Sequence, residues 1–386
     1  MPTTEELERR SAVTRYLAGE RASAVCRSLG RPRKWLYKWV SRFKSGDSDW
    51  FVDDSRRPKH SPSATPPETA ARIVSARQHL EQAPYACHGV FSIRQELCND
   101  RSISIPSDAT INRIISGAGL VGRTAKRAKV GTAYPEPAAD GPNAVHQLDL
   151  WGPRYLGAGK SCYVVNIIDV ARRMPSIHPV PNKSFGSLIP AIVRCWQTLG
   201  VPVILQMDNG VTTGTSIQPG SVCRMLRLCL HVGIHVLFVP FAEPWRQGVI
   251  EKFNDFLDKS FFRTHRFQDL SELCEQSQRF QDHCWNVRRV SALKGKTPAQ
   301  VSDPARVRLL PESFAVDVDK LPIPSGKMSF IRMVRSDCQV DVLGRKLPVA
   351  ERYYREYVTA RLCTQSGLLT IRHRADLIAE FQFSMC

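Results

Sequence analysis

Between Ala144 and Val239 the chain is built of short apolar runs, each too brief to be a helix and each bounded by turn residues. They span residues 145–150, 162–169, 176–180, 201–207 and 234–239. Runs of this length and composition read as strands. The first three follow one another through short turns. An amphipathic stretch at 184–199 then separates the third from the fourth, and a helix near 222–232 separates the fourth from the fifth. Helical patterns near 245–263 and 270–287 complete the region. Hairpin-linked strands followed by strand–helix alternation require a mixed sheet with helices on its faces. The middle of the chain is therefore expected to be α/β, over residues 141–303.

The flanks obey other periods. Residues 1–52 read as three helices: one capped by Thr3 or Thr4 and running to about Leu17, one from Ala22 to Leu29 that stops at Gly30, and one from Pro32 to about Lys44. On the third, Trp35, Leu36, Trp39, Val40 and Phe43 form an apolar stripe, and Arg33, Lys34, Tyr37, Lys38 and Arg42 are expected to face outward. A short helix, a glycine turn and a basic-faced helix is the pattern of a helix-turn-helix. Residues 53–67, rich in Pro and Ser, read as a linker. A second helix-turn-helix-like unit is expected at 68–122, with Thr110, Asn112 and Arg113 outward on its last helix. Residues 123–140 form a basic linker whose Arg123, Lys126, Arg127 and Lys129 would suit a phosphate backbone. From residue 321 to 386 five short β-like runs suggest a small barrel, its surface made basic by Lys327, Arg332, Arg335, Arg345, Lys346, Arg352 and Arg355. The expected fold class is thus multidomain: all-α helix-turn-helix units, a mixed α/β sheet and a small C-terminal β-barrel.

Charge narrows the partners. The formal net charge is +18, spread as +9 over residues 1–137 (23 − 14), +5 over 138–305 (18 − 13) and +4 over 306–386 (13 − 9). A chain basic in every third suits a polyanion. No apolar run is long enough to span a membrane, and the N-terminus carries no secretory pattern, so a cytoplasmic protein is expected. The 12 cysteines are scattered without a CxxC pair and fit a reducing compartment. Cys229, His231 and His235 have metal-like spacing but lack a second ligand pair, and read as packing residues.

Three acids stand out against this background. Asp149 interrupts an apolar strand run, VHQLDLW, and a carboxylate placed there needs a partner or a cation. Asp208 ends the fourth run at the carboxyl edge, where open α/β sheets place ligands, although Asp208-Asn209-Gly210 is also a good turn sequence. Glu251 flanks the apolar stripe of a helix formed by Ile250, Phe253, Leu257 and Phe261. Hard oxygen donors brought together suit divalent cations and phosphodiester chemistry. Asp169, at another strand end, is expected to serve the turn instead.

In that order and setting, the acids resemble those of an RNase H-like core. Residues from Ala144 to about Gln300 look like the catalytic domain of the retroviral-integrase-like DDE transposases of bacterial insertion sequences. HQLDLWGP, QMDNG and PFAEPWRQGVIEKFND carry the resemblance around the three acids, and WNVRRVSALKGKTPAQV resembles the segment that closes the domain. The helix-turn-helix pair, the SRRP junction and the basic C-terminal segment fit the same layout. Two departures stand. The interval between Asp208 and Glu251 is 42 residues (251 − 208 − 1), longer than usual in the family, and residues 212–221 read as the inserted loop. Glu243 would shorten it to 34 residues (243 − 208 − 1), but it precedes Pro244, whereas Glu251 occupies the Gly-x-x-Glu position. Gln247 also stands where the family often has Asn.

The resemblance implies a nucleoid-associated bacterial transposase or integrase. It implies that Asp149, Asp208 and Glu251 hold two Mg²⁺ or Mn²⁺ ions for 3′-end cleavage and strand transfer, and that a homo-oligomer acts on element ends and target duplex. Participation of an accessory ATPase is left open. The competing expectations are a DNA-binding regulator derived from a transposase and an RNase H-like nuclease without strand transfer.

Overall fold

Thr3 begins helix α1 (Thr4–Leu17) with a reciprocal cap. Its hydroxyl accepts from the Glu6 backbone N–H, and the Glu6 carboxylate accepts from the Thr3 N–H. Gly30, at φ +61°, provides the left-handed residue in the turn between α2 (Ala22–Ser28) and α3 (Arg33–Lys44). Leu36, Trp39 and Val40 pack with Ala12, Val13, Val25 and Cys26. Phe43 departs from the expected stripe: it is 42% exposed and meets Trp50 edge-on at 5.2 Å, because the three-helix core closes one turn before it.

The structure is a computed structural model that describes residues 3–54, 64–85, 87–98, 104–121, 133–157, 159–210, 218–303, 305 and 307–386. The chain divides into two compact units, Met1–Pro66 and Pro67–Cys386. The second opens with α4 (Pro67–Gln82), α5 (Val90–Cys98) and α6 (Asp108–Gly117), packed on Ile73, Ile93, Leu97, Ile111 and Ile115. Ser107 caps α6 through the Thr110 N–H, as its position before Asp108 leads one to expect.

Then come β1 (Val145–Tyr155), β2 (Ser161–Asp169), β3 (Met174–Val180), α7 (Phe185–Thr198), β4 (Ile204–Met207), α8 (Arg224–His231), β5 (His235–Phe238), α9 (Gly248–Leu257) and α10 (Leu270–Asn286). Antiparallel β3-β2-β1 continues into parallel β4 and β5. Alternate residues of the sheet serve opposite faces. Leu148, Ile167, Leu205 and Met207 join Leu188, Ile192 and Trp196 of α7 and Leu226 of α8. Val164, Ile168 and Ile177 face Ile250, Phe253, Leu257 and Phe280 of α9 and α10.

The C-terminal segment corrects an expectation. β6 (Lys327–Met333), β9 (Tyr357–Cys363), β10 (Leu368–His373) and β11 (Asp376–Gln382) do not close into a barrel among the described residues. They extend the central sheet, in the order β3-β2-β1-β4-β5-β6-β9-β10-β11, while β7 (Gln339–Val342) and β8 (Arg345–Pro348) form a separate hairpin. The reason is an edge. β5 is apolar and buried, so leaving it at the rim would expose unpaired backbone groups and a sticky strand. β6 covers it in parallel, Val236 opposite Met328 and Phe238 opposite Phe330. With that side of β6 occupied, the strand has no free edge with which to close a barrel.

The turn after β2 is held by a buried ion pair. Asp169 accepts from Arg172 Nε at 2.8 Å and from the backbone N–H groups of Asn143 and Arg172. Burial alone would raise its pKa, but His146 and Arg172 hold it well below the usual carboxylate range. Cys229 is fully buried, and His235 bonds Ser329 at 2.8 Å; both act in packing.

Burial lowers the pKa of His146, and it brings His178 and His235 down to about 4. Unfolded histidine titrates near ~6.5. Because the folded values are the lower ones, protonation favours the unfolded chain. Stability should be whole above about pH 6.5 and should drain as pH falls towards 4. Thermal melts of the full chain should hold level from pH 7 to 8 and drop below 6.5. Replacing His178 and His235 together by Gln should flatten that drop; an unchanged slope would count against this account.

Candidate active site

In β1 and β4 the register pairs Gln147 with Gln206 and Leu148 with Met207. Continued by one residue, it sets Asp149 beside Asp208 at the point where β4 ends while β1 runs on against β2. Since side chains alternate, the two glutamines and the two acids share the face that α9 covers. Gln147 and Gln206 are both buried, and Gln147 Nε2 donates to Gln206 Oε1 at 2.9 Å. Gln147 Oε1 accepts from the Ile250 N–H at 2.9 Å, and Gln206 Nε2 donates to the Arg246 carbonyl at 3.3 Å. The first turn of a helix has N–H groups without internal partners, and here one of them is satisfied by the sheet itself. The amide pair thereby fixes how α9 begins, and Glu251 is the next residue.

Gln247 adds a second brace. It is 3% exposed, and the orientation of its amide follows from its neighbours. Nε2 donates to the Leu148 carbonyl at 3.3 Å and Oε1 accepts from the Asp208 N–H at 3.1 Å. One side chain thus ties together the backbones that carry Asp149 and Asp208. The substitution for Asn flagged in the sequence has a structural use.

Asp149 is held from α9. Asn254 Nδ2 donates to its Oδ2 at 2.6 Å, and Asn166, opposite Asp149 on β2, donates to Asn254 Oδ1 at 2.8 Å. Asn254 is 5% exposed, so its amide serves the acid rather than solvent. Burial raises the pKa of Asp149 and the charge of Asp208 adds to it, against the Asn254 bond. Glu251 is raised in the same way, by burial first and then by Asp149 and Asp208. The charge of Asp208 therefore reaches both of the other carboxylates, and that of Asp149 reaches Glu251. Among the described residues no three His, Cys, Asp or Glu side chains stand close enough to hold an ion between them. The donor chemistry nevertheless fits a hard cation: Asp149 and Asp208 are half-buried, Glu251 is exposed, and all three offer carboxylate oxygens.

Glu243 has other work. Its Oε2 accepts from Arg246 Nε at 2.9 Å and from the Tyr357 hydroxyl at 2.7 Å, and Arg246 also donates to that hydroxyl at 2.7 Å. Arg246 lies over the Tyr134 ring at 4.1 Å. This closed cluster fastens the turn before α9 to β9.

The residues expected to contact DNA divide into groups. Arg33, Lys34 and Tyr37 are exposed on α3. Lys38 pairs with Asp53 at 3.5 Å and Arg42 with Asp54 at 3.1 Å, contacts exposed enough to exchange for phosphate at little cost. On α6, Asn112 and Arg113 are exposed and Thr110 is half-buried against Ser107. Arg123, Lys126, Arg127 and Lys129 lie outside the described residues. Gln147, Gln206 and Asn166 were missed in the sequence. Polar residues two positions before both acids, on otherwise apolar strands, were the available signal.

Comparison with known proteins yields matches at both ends of this description. Residues 3–51 match the family described as homeodomain-like domain. Over 149 residues, 37% of the chain, the protein is 26% identical to the Gag-Pro-Pol polyprotein of squirrel monkey retrovirus, of whose length the match spans only 7%. Among solved structures it resembles the HTLV-2 integrase catalytic core domain in complex with magnesium, at 16% identity and a TM-score of 0.32, covering 42% of this chain and 99% of that one. It also resembles the simian T-cell lymphotropic virus intasome bound to the PP2A regulatory subunit B56 gamma, at 14% identity and a TM-score of 0.37, covering 76% and 93%. The first match agrees with the helix-turn-helix expected at residues 1–52, and none of the matches bears on a bacterial source. No helix of the described residues is long and apolar enough to cross a membrane.

Two stability predictions follow from the geometry. Gln147→Leu leaves the Ile250 N–H and Gln206 Oε1 unmatched and should cost about 2–4 kcal/mol in denaturant unfolding. Asp149 and Glu251 behave oppositely. Their raised folded pKa values mean that ionisation at neutral pH disfavours the folded state. Asp149→Asn should raise the metal-free Tm by roughly 1 °C or more, and Glu251→Gln, at an exposed and better screened side chain, by less; a fall in both would contradict this account.

Proposed function

We propose that this chain is a DNA transposase or integrase whose acid site is formed by Asp149, Asp208 and Glu251. The observation that carries the reading is the register of β1 and β4, which brings Asp149 beside Asp208 at the end of β4, with Glu251 near enough for both to raise its pKa. Their positions are held by Gln147, Gln206, Gln247 and Asn254, while the rival Glu243 is bound up with Arg246 and Tyr357. The three carboxylates would hold a pair of Mg²⁺ or Mn²⁺ ions, which when bound neutralise phosphate charge and ease deprotonation of an attacking water or 3′-hydroxyl.

What the chain itself contributes is placement. Residues 1–52 and 68–122 would recognise element ends, with α3 entering the major groove and Arg33, Lys34 and Tyr37 leading. Residues 123–140 would follow the backbone into the core at 141–303. There water attacks phosphorus and the 3′-oxygen departs as an alcohol. That hydroxyl then attacks a phosphorus of target DNA and displaces another 3′-oxygen. One phosphodiester is exchanged for another in this second step, so no high-energy cofactor is consumed. Joining two ends in one event calls for more than one copy of the chain on DNA. An intact set of three acids favours this reading over a regulator that only binds.

The test uses donor duplexes carrying element ends, a target duplex and Mg²⁺ or Mn²⁺. The wild-type chain should nick and join. Asp149→Asn and Asp208→Asn should each lower both steps by about 10³-fold or more and leave donor binding within about twofold in gel-shift titrations. Cutting and joining by either variant at wild-type rates would overturn the assignment; nicking without joining by the wild type would favour a plain nuclease.

A further inference from the structure

Arg332 was counted in the sequence among the cations of a basic surface, and the structure corrects this: it is 4% exposed. Its hydrogen bonds end on neutral oxygens. Nε donates to the Asp341 carbonyl at 2.8 Å, Nη1 to the Val239 and Ile331 carbonyls at 3.1 and 3.0 Å, and Nη2 to Asn209 Oδ1 at 2.9 Å. A buried guanidinium that bonds no carboxylate among the described residues, with only the charge of Asp341 nearby to favour it, is a costly thing to keep. Burial pushes its pKa down to about 10, still far enough above neutrality to leave it charged.

What it grips explains its retention. Asn209 follows Asp208 directly, and its Nδ2 donates to the Val239 carbonyl at 2.9 Å while its Oδ1 accepts from Arg332. The Val239 carbonyl accepts from both side chains, which closes a ring of Arg332, Asn209 and Val239. The turn itself is tight. The Gly210 N–H donates to Asp208 Oδ1 at 3.1 Å, and a Cβ on Gly210 would sit 3.0 Å from Asp208 Oδ2. Any rotation of the turn therefore redirects the Asp208 carboxylate.

We propose that Arg332 is a positioning residue for the acid site, holding the Asp208 turn through Asn209 although it lies 123 residues further along the chain. The pairing of β6 with β5 brings it there, so the C-terminal strands complete the core rather than merely follow it. The inference rests on the reading of Asp208 as a metal ligand.

The experiment measures Mn²⁺ affinity of the full-length chain by calorimetry, alongside Tm, for Arg332→Met, Asn209→Ala, the double variant and Asp208→Asn. Arg332→Met and Asn209→Ala should each weaken Mn²⁺ binding about tenfold, within the usual range for residues behind a metal ligand. The double variant should be no weaker than either single one, because both break the same link. Arg332→Lys, which keeps the charge and loses the fork, should fall between wild type and Arg332→Met. If Arg332→Met does not fold, Asn209→Ala decides alone, since β6 is untouched in it. Wild-type Mn²⁺ affinity in a folded Arg332→Met or in Asn209→Ala, or a roughly hundredfold loss in the double variant, overturns the proposal. Wild-type affinity in Asp208→Asn would instead overturn the acid-site reading on which it rests.

Discussion

The in-register pairing of β1 with β4 is the constraint on which the site depends. Two parallel strands bring equivalent residues within a strand spacing of each other. Here that puts an amide beside an amide and, two residues on, a carboxylate beside a carboxylate. The first juxtaposition is favourable and the second is not. Gln147 and Gln206 satisfy one another and take hold of α9. Asp149 and Asp208 repel, and Glu251 adds a third charge to the same region. The favourable pair offsets the unfavourable one and keeps the acids where an unconstrained chain would not leave them. Sites that bind cations show this division between a strained set of ligands and the groups behind it that hold it in place.

The same logic accounts for the C-terminal strands. A sheet that ended at β5 would leave an apolar strand at its rim, and β6 removes that liability by pairing. In doing so it carries Arg332 to Asn209, and the neighbouring β9 carries Tyr357 to Glu243. Each of the loops that leave β4 and β5 near the acids is thus held by a residue from the far end of the chain. Insertions into such loops are tolerated when their ends are held. The long interval between Asp208 and Glu251 has that support at both of its margins.

Much of this was legible in order of appearance. The five core strands and the helices between them follow from apolar periodicity, which is local and survives without knowledge of partners. The caps at Thr3 and Ser107 and the turn at Gly30 are local too. The candidate acids were legible because a carboxylate on an apolar strand is anomalous wherever that strand packs. Asp169 shows the limit of that signal. It is as anomalous as Asp149, and its assignment to the turn was made from position, whereas the structure supplies the reason in Arg172 and His146. The roles of Asn254, Gln147 and Gln206 were not legible, since an amide reads alike whether it meets water or another amide.

By itself, then, the sequence determined the kind of each element, its place in order, the basic character of the chain and the acids that needed explaining, because these depend on residue type and near neighbours. Tertiary structure alone decided that the C-terminal strands extend the sheet instead of closing a barrel, that Arg332 is interior, and that Glu243 belongs to Arg246 and Tyr357. Those outcomes turn on which strand edge is free and which polar groups meet across a hundred residues of chain. Pairing of that kind is settled by what the rest of the fold leaves unsatisfied, and no local pattern encodes it.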